Sequence, residues 1–156
     1  MKYLIIGLGN PGAEYENTRH NIGFKMLDKL AYLSNISFSS ERLADVAYVK
    51  FKGRNLVLLK PNTYMNLSGK AVKYWMQKTK IDIKNILVVT DDISLPFGIV
   101  RMRKKGSDGG HNGLKDIQNH LATSSYPRLR FGVGDDFLRG NQAEYVLSNF
   151  TNEDYI

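Results

Sequence analysis

Two hydrophobic periods alternate along this chain. Short apolar runs give way to stretches whose apolar positions fall three and four residues apart. Lys2–Gly7 is a compact apolar run that enters a glycine turn, which predicts a buried strand. Ile22, Met26, Leu27, Leu30 and Leu33 fall at helical spacing and predict an amphipathic helix over 21–34. Val46–Phe51 and Leu56–Leu59 flank Lys-Gly-Arg-Asn and predict a hairpin. Leu67, Ala71, Val72, Trp75 and Met76 mark a second helix, with Asn66 or Ser68 as its cap. Ile86–Thr90 predicts a central strand ending at Asp91, and Ile99–Lys104 another strand with basic residues on at least one face. Leu114, Ile117 and Leu121 mark a third helix, with Asn112 placed to cap it. Leu129–Gly134 predicts a further strand, and a helical turn follows near Gln142–Leu147.

Strands alternating with helices, interrupted by one hairpin, predict an α/β fold. The expected architecture is a three-layer sandwich in which a mixed, twisted central sheet carries helices on both faces. No repeat or linker divides the chain, so residues 1–156 read as a single domain. In such sheets the working crevice lies beyond the strand ends. At the C-terminus, Thr151 followed by Asp154 has the form of a helix N-cap, so the sequence stops where a helix should begin.

Composition narrows the chemistry. Hydrophobic residues make up 42% and charged residues 24%, enough apolar material for a real core. The absence of cysteine excludes disulfides and thiolate ligands, and three scattered histidines argue against a dedicated zinc site. The N-terminal apolar run is too short for a signal peptide, and no stretch approaches the ~20 apolar residues of a membrane helix. A cytoplasmic protein is the expectation. The formal net charge of +7, with basic residues grouped in Arg101-Met-Arg-Lys-Lys105 and recurring at Arg128 and Arg130, points to a polyanionic partner, nucleic acid first.

Several segments carry candidate chemistry. Gly7-Leu-Gly-Asn-Pro-Gly12 matches a dinucleotide-binding glycine pattern. However, the helical period begins about ten residues too late, and the acidic residue expected ~20 positions on is missing. The turn instead presents Asn10, whose amide holds both a donor and an acceptor. His20 stands just before the first helix. A lone histidine is more often structural, but Asp91 at a strand tip can orient a neighbouring imidazole and stabilise its protonated form. Asp91 also reads as a simple turn residue. No serine-nucleophile motif is present, so a pairing of His20 with Asp91 would act on water. Gly106-Ser-Asp-Gly-Gly-His-Asn-Gly113 is a glycine-rich loop entering a helix, a form that suits phosphate. Tyr15 and Tyr64 could stack on a base or simply pack in the core.

Taken together, these segments resemble the bacterial peptidyl-tRNA hydrolase family. The matching stretches are 7–21, 60–72, 90–96 and 106–116, with Arg128-Leu-Arg-Phe-Gly-Val-Gly134 as a fifth, in the family's order and spacing. The resemblance implies a monomeric hydrolase of translation that cleaves the ester between a peptide and tRNA. By that resemblance His20 is the general base, Asp91 its orienting carboxylate, and Asn10 recognises the blocked, peptidyl form of the substrate. Asn66 and Asn112 hold the ester and peptide backbone. Tyr15 and Tyr64 line the site for the tRNA 3′ end, and Arg103 and Arg130 clamp the 5′-phosphate. His111 supports the site from beside Asn112. The resemblance calls for no cofactor and no metal. Position 94 is Ser where many members carry a second acid, and members usually continue through a further helix. An alternative on the same scaffold is an RNA-binding homologue without catalysis.

Overall fold

The computed structural model describes residues 1–137, 140–151 and 154. Its strands are β1 (Lys2–Gly7), β2 (Ser39–Glu41), β3 (Ala44–Phe51), β4 (Arg54–Pro61), β5 (Ile86–Asp92), β6 (Val100–Arg103) and β7 (Arg128–Gly132). The helices are α1 (Ile22–Leu33), α2 (Ser68–Thr79), α3 (Asn112–Leu121) and α4 (Gln142–Val146). The strands form one seven-stranded sheet in the order β2-β3-β4-β1-β5-β7-β6. The inner pairs β4–β1, β1–β5 and β5–β7 are parallel, and both edges are antiparallel. The expected α/β fold with a mixed sheet is therefore the one observed.

The two-residue period of the inner strands decides which helix each face receives. Leu4 and Ile6 of β1 and Val57 and Leu59 of β4 pack with Val72 and Trp75 of α2 and Leu114 and Ile117 of α3. Ile5, Leu56 and Leu58 point the other way, onto Leu27, Leu30 and Ala31 of α1. Each fully buried aliphatic side chain contributes roughly 1.5–3 kcal/mol, so the two faces lock the helices without help from propensity. Trp75 is fully buried, and its indole N–H donates to the Arg42 carbonyl at 2.8 Å, which satisfies its one polar group.

The helix starts differ from expectation. Neither Asn66 nor Ser68 caps α2. A short 3-10 turn, Met65–Leu67, precedes the helix, and the Ser68 hydroxyl donates back to the Met65 carbonyl. The cap is borrowed from the neighbouring helix, since Asp116 Oδ2 accepts from the Gly69 N–H at 2.7 Å. Asn112 does not cap α3 either. It is the first helical residue, and the His111 ring caps the helix. Strand β2 has no counterpart in the hydrophobic pattern, because Ser39–Glu41 has no apolar alternation and exists only through pairing with β3. The glycine turn after β1 serves packing. A Cβ on Gly7 would run into the Gly23 carbonyl, and one on Gly23 into the backbone of Leu8 and Val89, so α1 starts hard against the ends of β1 and β5.

The borrowed cap gives a stability prediction. Replacing Asp116 with Ala leaves the Gly69 N–H without its acceptor. It should lower unfolding free energy by about 1 kcal/mol, within the 0.5–2 range of lost N-caps. Urea melts of the two proteins check this, and identical midpoints would mean that water replaces the carboxylate at no cost.

Candidate active site

The segments that follow β1 and β5 run away from each other in this sheet, and the crevice between them is where ligands of open α/β sheets bind. Asn10, His20 and Asp91 all converge there. Asn10 follows β1. His20 sits in the 3-10 turn Arg19–Asn21 that leads into α1, and Asp91 lies near the tip of β5. All three are buried, at 7%, 7% and 3% exposure.

His20 Nδ1 lies 2.9 Å from both carboxylate oxygens of Asp91. His111 Nε2 lies 2.7 Å from Asp91 Oδ1 and 2.7 Å from Thr90 Oγ1. The proton positions follow from the helix cap. His111 Nδ1 accepts from the backbone N–H groups of Gly113 and Leu114, at 3.1 and 3.3 Å, so it carries no proton. A neutral His111 is then protonated on Nε2, which donates to Asp91. A carboxylate can only accept, so His20 donates from Nδ1, and Nε2 is the ring nitrogen with the free lone pair. That Nε2 has no hydrogen-bond partner among the described residues and is not sealed from solvent, which leaves it open to the cleft.

Burial pushes the Asp91 carboxyl up. The neighbouring His111 and His20 rings outweigh that effect and hold it well below the ordinary carboxylate value of 3.8. The group is therefore an anion at neutral pH despite being buried. Potential ligand atoms of His20, Asp91 and His111 lie within 4.8 Å of one another. The same helix cap makes them a poor metal site. A metal would need the lone pair of His111 Nε2, and freeing it would put a proton on Nδ1, against two N–H donors.

Asn10 is held equally firmly. Its backbone N–H donates to Asn21 Oδ1 at 2.8 Å, and its carbonyl accepts from Asn21 Nδ2 at 2.9 Å. Its side-chain Oδ1 accepts from the Met65 N–H at 2.6 Å. This fixes the amide orientation and turns the NH₂ of Asn10 towards the cleft as a donor. One cavity of about 420 Å³ gathers Asn10, Tyr15, His20, Tyr64, Asn66 and Asn112. Tyr15 and Tyr64 meet edge to face there, with ring centroids 6.3 Å apart. On the other side of His20 a cavity of about 560 Å³ is lined by Asp91, Asp92, the glycine-rich loop 107–111 and Arg130.

The basic residues divide. Arg130 lies in that second cavity and pairs with Asp92, Nη1 to Oδ2 at 2.9 Å. Arg103 is exposed on β6 and lines neither cavity. Register places Arg103 opposite Arg128 and Arg101 opposite Arg130, so Arg103 and Arg130 share a face one step apart. Arg128 is buried and structural. It stacks on Tyr126 and donates to the carbonyls of Ser107 and Ser124, tying down the base of the glycine-rich loop.

Sequence reasoning missed the roof of the site. Ala143, Val146 and Leu147 of α4 and its end complete the smaller cavity. Arg19, buried beside His20, anchors this segment by donating to the Tyr145 and Ser148 carbonyls and stacking over the Tyr145 ring at 4.1 Å. The sequence shows only an arginine next to a candidate base; its burial and its partners are set by the fold. Asn21, which holds Asn10, was equally silent because its partner lies in a different turn.

Residues 4–156 match the family model described as peptidyl-tRNA hydrolase. The chain is 62% identical over 154 residues to the peptidyl-tRNA hydrolase of Cytophaga hutchinsonii, covering 99% of this chain and 82% of that protein. Identity to the peptidyl-tRNA hydrolase of Bacteroides fragilis is 57% over 155 residues, covering 99% and 83%. The crystal structure of peptidyl-tRNA hydrolase from Acinetobacter baumannii superposes with a TM-score of 0.93 at 34% identity, covering 98% of this chain and 79% of that one.

Proposed function

The chain belongs to the peptidyl-tRNA hydrolase family, and from that premise we propose how its own residues perform the reaction. The enzyme hydrolyses the ester that joins a peptide to tRNA. His20 Nε2 takes a proton from water. The resulting hydroxide adds to the ester carbonyl carbon, and the π electrons move onto oxygen. Collapse of this intermediate breaks the bond to the ribose oxygen, which takes the proton from the imidazolium and leaves as a hydroxyl. Asp91 fixes the tautomer that puts the lone pair on Nε2 and stabilises the imidazolium. His111 holds Asp91 in place and keeps to one tautomer through the α3 cap. The single observation that carries this reading is the buried His20–Asp91–His111 array with His20 Nε2 open to the cleft.

Amide donors aimed at the developing oxyanion supply the electrostatic part. The NH₂ of Asn10 is fixed by the Met65 contact and suits a carbonyl of the peptidyl group, with Asn66 and Asn112 along the ester and peptide backbone. Tyr15 and Tyr64 offer stacking faces to the terminal base. Arg130, with Arg103 on the same face, takes the 5′-phosphate. One copy of the chain supplies every residue named, so a monomer suffices. A cytoplasmic site of work is part of this reading. No helix among the described residues is long and apolar enough to cross a membrane. The non-catalytic RNA-binding alternative is disfavoured because the His20–Asp91 pair is intact.

The test is release of tRNA from an N-blocked aminoacyl-tRNA, with the unblocked form as control. Rapid release of the blocked form only is the expected result. Equal rates would remove the peptidyl-recognition role of Asn10, and no release would overturn the reading. In the same assay, replacing both Arg103 and Arg130 with Ala should weaken tRNA binding. It should also flatten its salt dependence by roughly 0.7–0.9 log units per log unit of salt for each phosphate no longer neutralised. An unchanged slope would mean that neither arginine meets a phosphate.

A further inference from the structure

On the phosphate reading of Arg130 given above, we propose that Asp92 is a built-in competitor for that arginine. Its carboxylate holds the guanidinium in the free enzyme, and the terminal 5′-phosphate of tRNA must take the guanidinium over.

The carboxylate is preset. Asp92 Oδ1 accepts from the Ser94 N–H at 2.7 Å and from the Ser94 hydroxyl at 2.6 Å, which fixes the side chain and aims Oδ2 at Arg130 Nη1, 2.9 Å away. Both members of the pair are mostly buried, with side chains 19% and 14% exposed. They line the cavity that also holds His20 and Asp91.

The arginine, by contrast, is incompletely used. A guanidinium has five N–H donors in a planar fork suited to bidentate partners. Among the described residues one of its nitrogens meets one oxygen, and Nε is buried without a partner. A phosphate monoester carries up to two negative charges and three terminal oxygens. It can outcompete a single carboxylate oxygen, whereas an internal phosphodiester, with one charge, competes less well. The surroundings also require a counter-ion. Antiparallel pairing sets Arg101 directly opposite Arg130 and Arg103 opposite Arg128, and like charges so placed repel. Asp92 offsets one of these four charges, that of Arg130, until an anion arrives. Its effect is to lower the gain from any phosphate that takes Arg130 over, the 5′-phosphate included.

The experiment uses an N-blocked aminoacyl minihelix RNA in two forms, with a 5′-phosphate and with a 5′-hydroxyl. The quantity read is the ratio of kcat/KM for the two forms, which cancels any general effect of a variant on chemistry or folding yield. Without the competitor the phosphate collects the whole benefit of Arg130. Asp92→Asn and, independently, Asp92→Ser should therefore raise the ratio about two- to fivefold, the scale of a partly exposed ion pair. In an Arg130→Ala background the same substitutions should leave the ratio unchanged. A ratio that stays the same or falls in both Asp92 variants would overturn the proposal, since Asp92 would then be scaffolding for Arg130. A wild-type ratio of one would instead remove the phosphate role of Arg130 itself, and with it the premise.

Discussion

His20→Ala should lower turnover by about 10²- to 10⁴-fold, the usual contribution of a positioned general base, while tRNA binding changes little. The two effects separate because of where His20 sits. It is 7% exposed, at the junction of two cavities, and its ring contacts are Asp91 and the tilted His111 ring at 4.7 Å. None of the basic residues depends on it. A water left without a base would still meet the amide donors of Asn10, Asn66 and Asn112, so residual activity above the uncatalysed rate is expected. Single-turnover kinetics at saturating enzyme measure the chemical step, and a binding titration measures the rest. Near-wild-type turnover in this variant would show that water is activated elsewhere.

Asp91→Asn should reach a comparable loss for a different reason. Asp91 receives two donors, His20 Nδ1–H and His111 Nε2–H. Asparagine offers one acceptor oxygen and an NH₂ that must itself donate. His20 Nδ1 meets both carboxylate oxygens, so the NH₂ faces His20 donor to donor in either orientation, whereas His111 meets Oδ1 alone. His111 keeps its tautomer, because its Nδ1 is already committed to the Gly113 and Leu114 N–H groups of the α3 cap. The mismatch falls on His20, whose Nδ1 would then accept and whose proton would move to Nε2, the position needed for the base. Turnover should fall by about 10²- to 10⁴-fold, and nitrogen NMR of the labelled imidazole should show His20 protonated on Nε2. Unaltered tautomers with full activity would refute the role given to the cap.

The same substitution has a consequence for acid stability. The folded-state pKa of Asp91 is depressed below its ordinary 3.8. A depressed carboxylate contributes stability that is present above the unfolded pKa and is lost as pH falls through the folded one. The stability advantage of wild type over Asp91→Asn should therefore be constant at neutral pH and shrink below about pH 4. Urea melts across that range check the sign, and a gap that widened on acidification would contradict it.

How much of this was legible in the chain can be seen residue by residue. The strands and helices were readable wherever one face had to be buried. Leu4 and Ile6 against Ile5, or Leu27 and Ala31 on one stripe of α1, must take the period of the surface they cover. The ordered motifs marked Asn10, His20, Asp91 and Asn112 as chemistry-bearing, and the basic run marked an anionic partner. Strand β2 was invisible because Ser39–Glu41 has no apolar face to pattern it.

What the sequence by itself determined, then, was the local period, the fold class that follows from it, and which polar residues stand at strand ends. Tertiary structure alone decided which of those residues meet. His20 and Asp91 are 71 positions apart, and they touch because parallel pairing brings the ends of β1 and β5 side by side while Gly7 and Gly23 let α1 start against them. The caps depended on packing too, since His111 displaced Asn112 at α3 and Asp116 reached across to α2. So did the alignment of Arg101 with Arg130 and the pairing of Arg130 with Asp92. Side-chain burial is written in spacing along the chain. Hydrogen-bond partners are chosen by distance in space, which no local period records.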